Sequence, residues 1–274
     1  MKGRRAFLAA GAGLLAAEAR KRLILIGDDI GAVAAIGDGT IEAYRNGIMR
    51  SANLIIPGPW LPQAIRLLQA NPGLDTGVHL TLTSEWDRVK WRPLTPMSSL
   101  VDANGFLPPR TRDVAAPGVS LKEVEAELRA QIEMARRLLP RVSWLSSHMG
   151  AAVASDSLRE LTLRLSREYR MPMQGDIAGL KRLKVPYSSS STREEKVTAM
   201  LGMLEALTPG IHAMVDHPAT DTAEMRQVGH EGNRNVAEQR AGILHAWCHP
   251  KVKEAVGRLG IELASVGACV KRPA

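Results

Sequence analysis

Three short stretches of the chain carry side chains that could activate water at a metal ion. Asp28 and Asp29, in L-I-L-I-G-D-D-I-G, are adjacent carboxylates that follow an apolar run and precede a glycine. Neighbours in one strand-end loop can point different ways, one to a cation and the other to a water. His79 interrupts the apolar G-V-H-L, and His148 follows W-L-S-S. One carboxylate and two imidazoles make a ligand set with open positions, suited to a divalent cation that must also hold water and substrate. Each motif has a plainer explanation: a strand histidine can be packed core, and an Asp-Asp pair can be a turn or a helix cap. Their coincidence at three strand ends favours the metal. In I-H-A-M-V-D-H-P, His217 adds a candidate for proton transfer, with Asp216 to orient it, whereas His212 reads as core. His230, His245 and His249 lie in helical or loop sequence and read as surface residues.

Positioning such groups requires strands that end together. From Arg22 onward short apolar runs alternate with longer stretches of helical period, the pattern of repeated βα units around a parallel sheet. Strands are predicted at 23–27, 52–56, 76–80, 143–147, 171–174, 211–215 and 261–264. Helices are predicted at 34–46, 61–70, 121–139, 157–169, 192–206, 235–247 and 251–259. This predicts an α/β fold, a single-domain β/α barrel of TIM-like type with room for irregularity, in which catalytic groups cluster at the C-terminal strand ends. The Pro-rich segment 81–118 breaks the rhythm, and a loop of that length in a compact domain is usually functional.

Hydrophobic residues at 45% and charged residues at 23% exclude a disordered or membrane-spanning chain. The net charge of +8 is spread over helices in which Glu and Arg alternate, which argues against nucleic acid as a partner. Cys248 and Cys269 allow one optional disulfide and no framework. Residues 1–19, M-K-G-R-R-A-F-L-A-A-G-A-G-L-L-A-A-E-A, combine a basic start, a short apolar stretch and a small-residue A-x-A pattern, the layout of an export signal. Arg4-Arg5 before Ala6-Phe7-Leu8 is similar to a twin-arginine core, which predicts a periplasmic or extracellular destination. A cytosolic protein with an N-terminal helix is the plainer alternative. Cleavage after Ala19 would remove three basic residues against Glu18 and leave a net charge of +6.

Several runs in order, R-L-I-L-I-G-D-D-I-G, E-A-Y-R-N-G-I-M-R-S-A-N-L-I-I-P-G-P, G-V-H-L-T-L-T-S-E-W, E-L-R-A-Q-I-E and S-H-M-G, together resemble the YdjC-like carbohydrate deacetylase family. The resemblance continues more loosely through His217-Pro218 and Arg240, so it covers residues 20–274 as one deacetylase domain. It implies a barrel-like fold and metal-dependent hydrolysis of an acetamide on a small amino sugar or oligosaccharide. Carried over by position, it implies Asp29, His79 and His148 as metal ligands, Asp28 as the base and His217 as the catalytic acid. The implied metal is magnesium, although this donor set suits zinc or another transition ion equally well. Glu85, Trp86 and Arg240 are expected to line the sugar cleft with Trp91 beside them, the aromatic faces stacking on a pyranose and Glu85 binding hydroxyls; the plainer alternative is that Trp86 and Trp91 anchor the long loop. A homodimer is compatible with the sequence, and stable membrane insertion is not expected.

The chain departs from the family pattern near the third ligand. Where the family carries Asp two residues before His148, and His two residues before that, this chain has Ser146 and Trp144. Loss of an orienting carboxylate would weaken metal affinity about 10- to 100-fold. Two alternatives follow: a carbohydrate-binding homologue disabled at Ser146, and, less favoured, a metal-dependent phosphoesterase.

Overall fold

A computed structural model describes residues 20–271; the export signal read at 1–19 lies outside them. The apolar run before Asp28 becomes β1 (Lys21–Ile30), the centre of a parallel sheet. β2 (Ser51–Leu54) and β3 (Asp75–Leu80) extend it on one side, followed by β4 (Leu145–Ser147). On the other side lie β6 (Gly210–Asp216) and then β5 (Leu180–Arg182), while β7 (Glu262–Leu263) pairs with the start of β1. Helices Ala34–Arg45, Leu61–Gln69, Leu121–Leu138, Asp156–Tyr169, Arg193–Glu205, Val236–Cys248 and Pro250–Arg258 connect the strands. Three begin at hydroxyl caps: Ser120 accepts from the Glu123 amide, Ser155 from the Leu158 amide, and Thr192 pairs with Glu195 in a capping box.

The two-residue period of a strand sends alternate side chains to opposite faces. Leu23 and Leu25 of β1 join the large core beneath the helices. Ile24 and Ile26 face inward, where they meet Trp144, Ile177, Ala213, Ala264 and Val266. Trp144 fills the middle of this interior. Its ring lies so close to Gly77 that a Cβ there would come within 2.3 Å of it, so only glycine fits. Its indole N–H donates to Asp75 at 2.9 Å. One layer further toward the C-terminal strand ends, the same alternation brings in Asp28, Asn53, His79 and Ser146, all buried.

The sheet curls into a half-barrel. Leu145 exchanges backbone hydrogen bonds with Pro172 and Gln174 at one edge, yet β5 starts at Leu180 on the other. The residues between can span only about 20 Å, so the two edges must approach. Here the strand expected at 171–174 reduces to a single bridge, Leu145 to Met173. β5 was not expected, because Leu-Lys-Arg is short and largely exposed and carries no apolar signal. The 81–118 segment includes a one-turn helix, Thr111–Val114, and docks on helix Leu121–Leu138. Fully buried Glu127 accepts from the Leu94 and Thr95 amides, and Glu123 accepts from Ser98 and Ser99. Both cysteines are free thiols, so the optional disulfide does not form. Among the described residues no helix is long and apolar enough to cross a membrane.

Candidate functional site

The turn after β1 places the first two groups. Asp29 adopts the left-handed region at φ 72°, and Gly31 follows at φ 105°, where a side chain would strike the Ile55 carbonyl. A non-glycine residue held there costs about 1–3 kcal/mol and persists only where its surroundings fix it. The twist points the two carboxylates differently. Asp28 Oδ1 accepts from Asn53 Nδ2 at 2.5 Å, and its Oδ2 lies 3.4 Å from His79 Nε2. Asp29 Oδ1 lies 3.6 Å from His79 Nε2 and 3.2 Å from His148 Nδ1, is buried, and has no hydrogen-bond partner. A buried carboxylate oxygen in no well-aligned hydrogen bond, facing imidazole nitrogens at 3.2 and 3.6 Å, fits a ligand position for a cation. The ligating atoms of Asp29, His79 and His148 all lie within 4.8 Å of one another, a set compatible with one divalent cation.

Both imidazoles are held from behind. His79 Nδ1 meets Ser146 Oγ at 2.7 Å, and His148 Nε2 meets Glu85 Oε2 at 2.9 Å. Glu85 therefore spends one oxygen orienting a ligand, the arrangement by which carboxylates fix metal-binding histidines. Trp91 also serves the site indirectly: its ring packs edge-on against His148, and its N–H groups donate to Ser84 and Thr83. Trp86 departs from its expected role. It is 6% exposed, its ring carries the Arg240 guanidinium at 5.3 Å, and His230 stacks on it at 5.7 Å, so it holds Arg240 and offers a sugar no open face. Arg240 Nη2 reaches Asp29 Oδ2 at 3.1 Å, while its buried Nη1 has no protein partner.

His217 stands at the end of β6, half-exposed, with Nε2 3.7 Å from Asp29 Oδ2 and Nδ1 3.5 Å from Asp216 Oδ1. Asp216 is itself fixed by the Tyr187 hydroxyl at 2.6 Å. The sequence marks Asp216 but not Tyr187, Asn53 or a positioning role for Ser146: Asn53 and Ser146 are short polar residues on strands and Tyr187 is a lone aromatic in a loop, and no pattern marks either kind. It also places His230 at the surface, whereas His230 lines the cleft through its stack on Trp86. Asp28, Asp29, His79, Glu85, Trp86, His148, His217 and Arg240 all line one cavity of about 550 Å³. A second, of about 560 Å³, meets it at Asp28 and His79.

Burial dominates the electrostatics. It raises the Asp28 carboxyl to about 6, against the pull of His217 and with help from Asp29. Asp29 is buried too, but His217, His148 and Arg240 outweigh that and hold it well below the usual carboxylate range. Burial and the neighbouring His148 push His79 down to about 3, leaving it neutral. Burial also opposes charge on His148, but Glu85 and Asp29 overcome it and raise the ring to about 10. Burial and Arg240 oppose charge on His217, but Asp29, Asp216 and Asp28 together overcome them and raise it. A base poised near neutrality beside an imidazole that holds its proton is the pairing that water-driven acyl transfer requires. Among the described residues one other histidine and carboxylate cluster exists, Glu194, His245 and His249. There His249 Nδ1 accepts from the Lys251 amide, so in the neutral ring the remaining nitrogen carries the proton and has no lone pair for a metal.

Residues 22–258 match the family model of YdjC-like proteins. A carbohydrate deacetylase from Thermus thermophilus is 32% identical over 228 residues, 76% of this chain and 81% of the relative. One from Enterococcus faecalis is 26% identical over 265 residues, 89% of this chain and 97% of the relative. Among solved structures, a protein from Enterococcus faecalis V583 described as a candidate cellobiose-phosphate cleavage protein superposes with a TM-score of 0.73 at 24% identity, covering 90% of this chain and 98% of the other.

Proposed function

The chain belongs to the YdjC-like family, and on that premise we propose that it is a metal-dependent hydrolase that removes N-acetyl groups from a small amino sugar or oligosaccharide. The observation that carries this is the buried, unpartnered Asp29 Oδ1 facing His79 and His148, with Asp28 and His217 on either side. The names of the relatives from Thermus thermophilus and Enterococcus faecalis supply the substrate class.

Asp29, His79 and His148 would hold the cation, which when bound polarises the acyl carbonyl and acidifies water. Magnesium is the ion implied by family likeness; the two imidazoles favour zinc or a similar transition ion as strongly. Asp28, with Oδ1 tied to Asn53, keeps Oδ2 free to take a proton from the attacking water. His217, kept protonated by Asp29 and oriented by Asp216, delivers a proton to the departing sugar amine, which leaves poorly as an anion. General acid and base help of this kind is worth about 10²- to 10⁴-fold. Arg240 Nη1, Asn233 and Gln239 offer polar groups to the sugar. Export of the mature chain belongs to the same proposal.

The test is acetate release from a panel of N-acetylated oligosaccharides by mature protein, first with chelator, then with Mg²⁺, Zn²⁺, Mn²⁺, Co²⁺ or Ni²⁺ restored. Release that vanishes with chelator and returns with an ion supports the reading. Bound metal without release favours the disabled binder, and phosphate release from aryl phosphates favours the phosphoesterase.

A further inference from the structure

Position 146 is where family resemblance leads one to expect a carboxylate, and the structure holds Ser146 there in an unbroken chain of hydrogen bonds. His79 Nδ1 lies 2.7 Å from Ser146 Oγ, Ser146 Oγ lies 2.5 Å from Asn53 Oδ1, and Asn53 Nδ2 lies 2.5 Å from Asp28 Oδ1. All four residues are buried. The directions are forced from one end. Asn53 Nδ2 meets two oxygens, Asp28 Oδ1 and Gln174 Oε1 at 3.0 Å, and donates one hydrogen to each. The Asn53 carbonyl then faces Ser146 and can only accept, so the hydroxyl proton points there. The other acceptor near that hydroxyl, the Val78 carbonyl, is longer at 3.4 Å. Ser146 Oγ is left as an acceptor and His79 must donate through Nδ1–H. Its Nε2 lone pair faces Asp28 and Asp29.

We propose that Asn53 and Ser146 are positioning residues, a neutral relay that fixes His79 in the Nδ1–H form and ties its orientation to that of Asp28 in place of a carboxylate at 146. The inference rests on the reading of Asp29, His79 and His148 as a cation site. It carries a consequence that a simple loss of the usual aspartate does not. Putting that aspartate back by Ser146→Asp sets a second acceptor against the Asn53 carbonyl. Asn53 must then flip and present its oxygen to Asp28, or the contact must break.

Two measurements test the relay. In metal-free protein, ¹⁵N-histidine spectra compared with those of His79→Gln should assign His79 to the Nδ1–H form, and Ser146→Ala should lose that single form. Independently, Co²⁺ affinity by chelator competition should fall about 10- to 100-fold in Ser146→Ala and Asn53→Ala and return within about threefold in Ser146→Thr, which keeps the hydroxyl. Ser146→Asp should bind more weakly than the parent while Asn53 is present, and should regain affinity when Asn53→Ala is added. An Nε2–H form of His79, undiminished Co²⁺ affinity in Ser146→Ala, or tighter binding in Ser146→Asp alone would overturn the relay. A parent protein that binds no ion yet shows His79 as Nδ1–H would refute the cation reading and keep the hydrogen-bond chain.

Discussion

Replacing Asp28 by Asn separates proton transfer from metal holding, because the structure gives the two oxygens of Asp28 different work. Oδ1 accepts the Asn53 amide at 2.5 Å, and an asparagine oxygen can keep that bond at unchanged volume. The new NH₂ then occupies the place of Oδ2, 3.4 Å from His79 Nε2, where it can donate but cannot take a proton from water. Loss of a positioned base lowers the rate about 10²- to 10⁴-fold, which at 1.36 kcal/mol per decade is roughly 3–5 kcal/mol of barrier. Metal affinity should change by less than about tenfold, since the ligand cluster comprises Asp29, His79 and His148 and leaves out Asp28. Asp29→Asn, by contrast, should lose metal and turnover together. The assay pairs kcat for acetate release at saturating ion with ion affinity measured by chelator competition on the same preparation. Turnover in Asp28→Asn within about tenfold of the parent, or ion affinity lost along with turnover, would refute the division of labour between the two carboxylates.

Three further outcomes follow from the same geometry. His148 holds its proton up to about 10 in the metal-free protein, so the stability it contributes is present below its ordinary value and is lost as pH rises toward 10. A cation at Nδ1 must expel that proton, so apparent ion affinity should rise about tenfold per pH unit near neutrality with about one proton released, checked by calorimetry in buffers of different ionisation enthalpy. Glu85→Ala should weaken ion affinity about 10- to 100-fold through the lost His148 bond; a raised KM with unchanged ion affinity would instead make Glu85 a sugar ligand. Trp144→Ala should destabilise the protein by about 3–5 kcal/mol and lower Tm by about 10 °C in a thermal melt, because it empties the inner core and removes one of the hydrogen bonds to Asp75.

The long strands and helices were legible because burial imposes period: β1 and β3 and the helices from 34, 61, 121 and 192 all stand in the structure within a residue or three of their expected limits. What failed was the barrel's seam. Around 171–182 the sheet is short and exposed, Met173 makes one bridge, and Leu180–Arg182 pairs by backbone alone, so no side-chain pattern records it. The site divides the same way. Aspartates and histidines at strand ends advertise themselves by type and place. Asn53 and Ser146 meet across the curled interior, from β2 to β4 past β3, and Tyr187 reaches Asp216 at the end of β6 from a loop, so their roles depend on topology and not on local pattern. Trp86 misled for a related reason: an aromatic in a loop suggests a platform, yet its ring is covered by Arg240 and His230 from 144 or more residues away.

The departure at 144 and 146, which in sequence looks like loss, has a different meaning once the barrel interior is built. Asp28, Asp29, Glu85 and Asp216 already line this cleft, with Arg240 and the imidazoles to balance them. A further carboxylate at 146, buried beside Asp28, would add like charge where desolvation already raises Asp28 to about 6. Serine supplies the acceptor that His79 needs without that charge, provided Asn53 stands beside it to receive the hydroxyl proton. Trp144 fits the same scheme one layer below: its bulk fills the interior only because position 77 is glycine, and its N–H ends on Asp75. Each of the two departures has its partner inside the curled sheet, Ser146 in Asn53 of β2, across β3, and Trp144 in the space above Gly77 of the adjacent β3. Neither departure leaves a buried polar group unpaired, since Ser146 Oγ and the Trp144 N–H both find partners, so neither by itself disables the site.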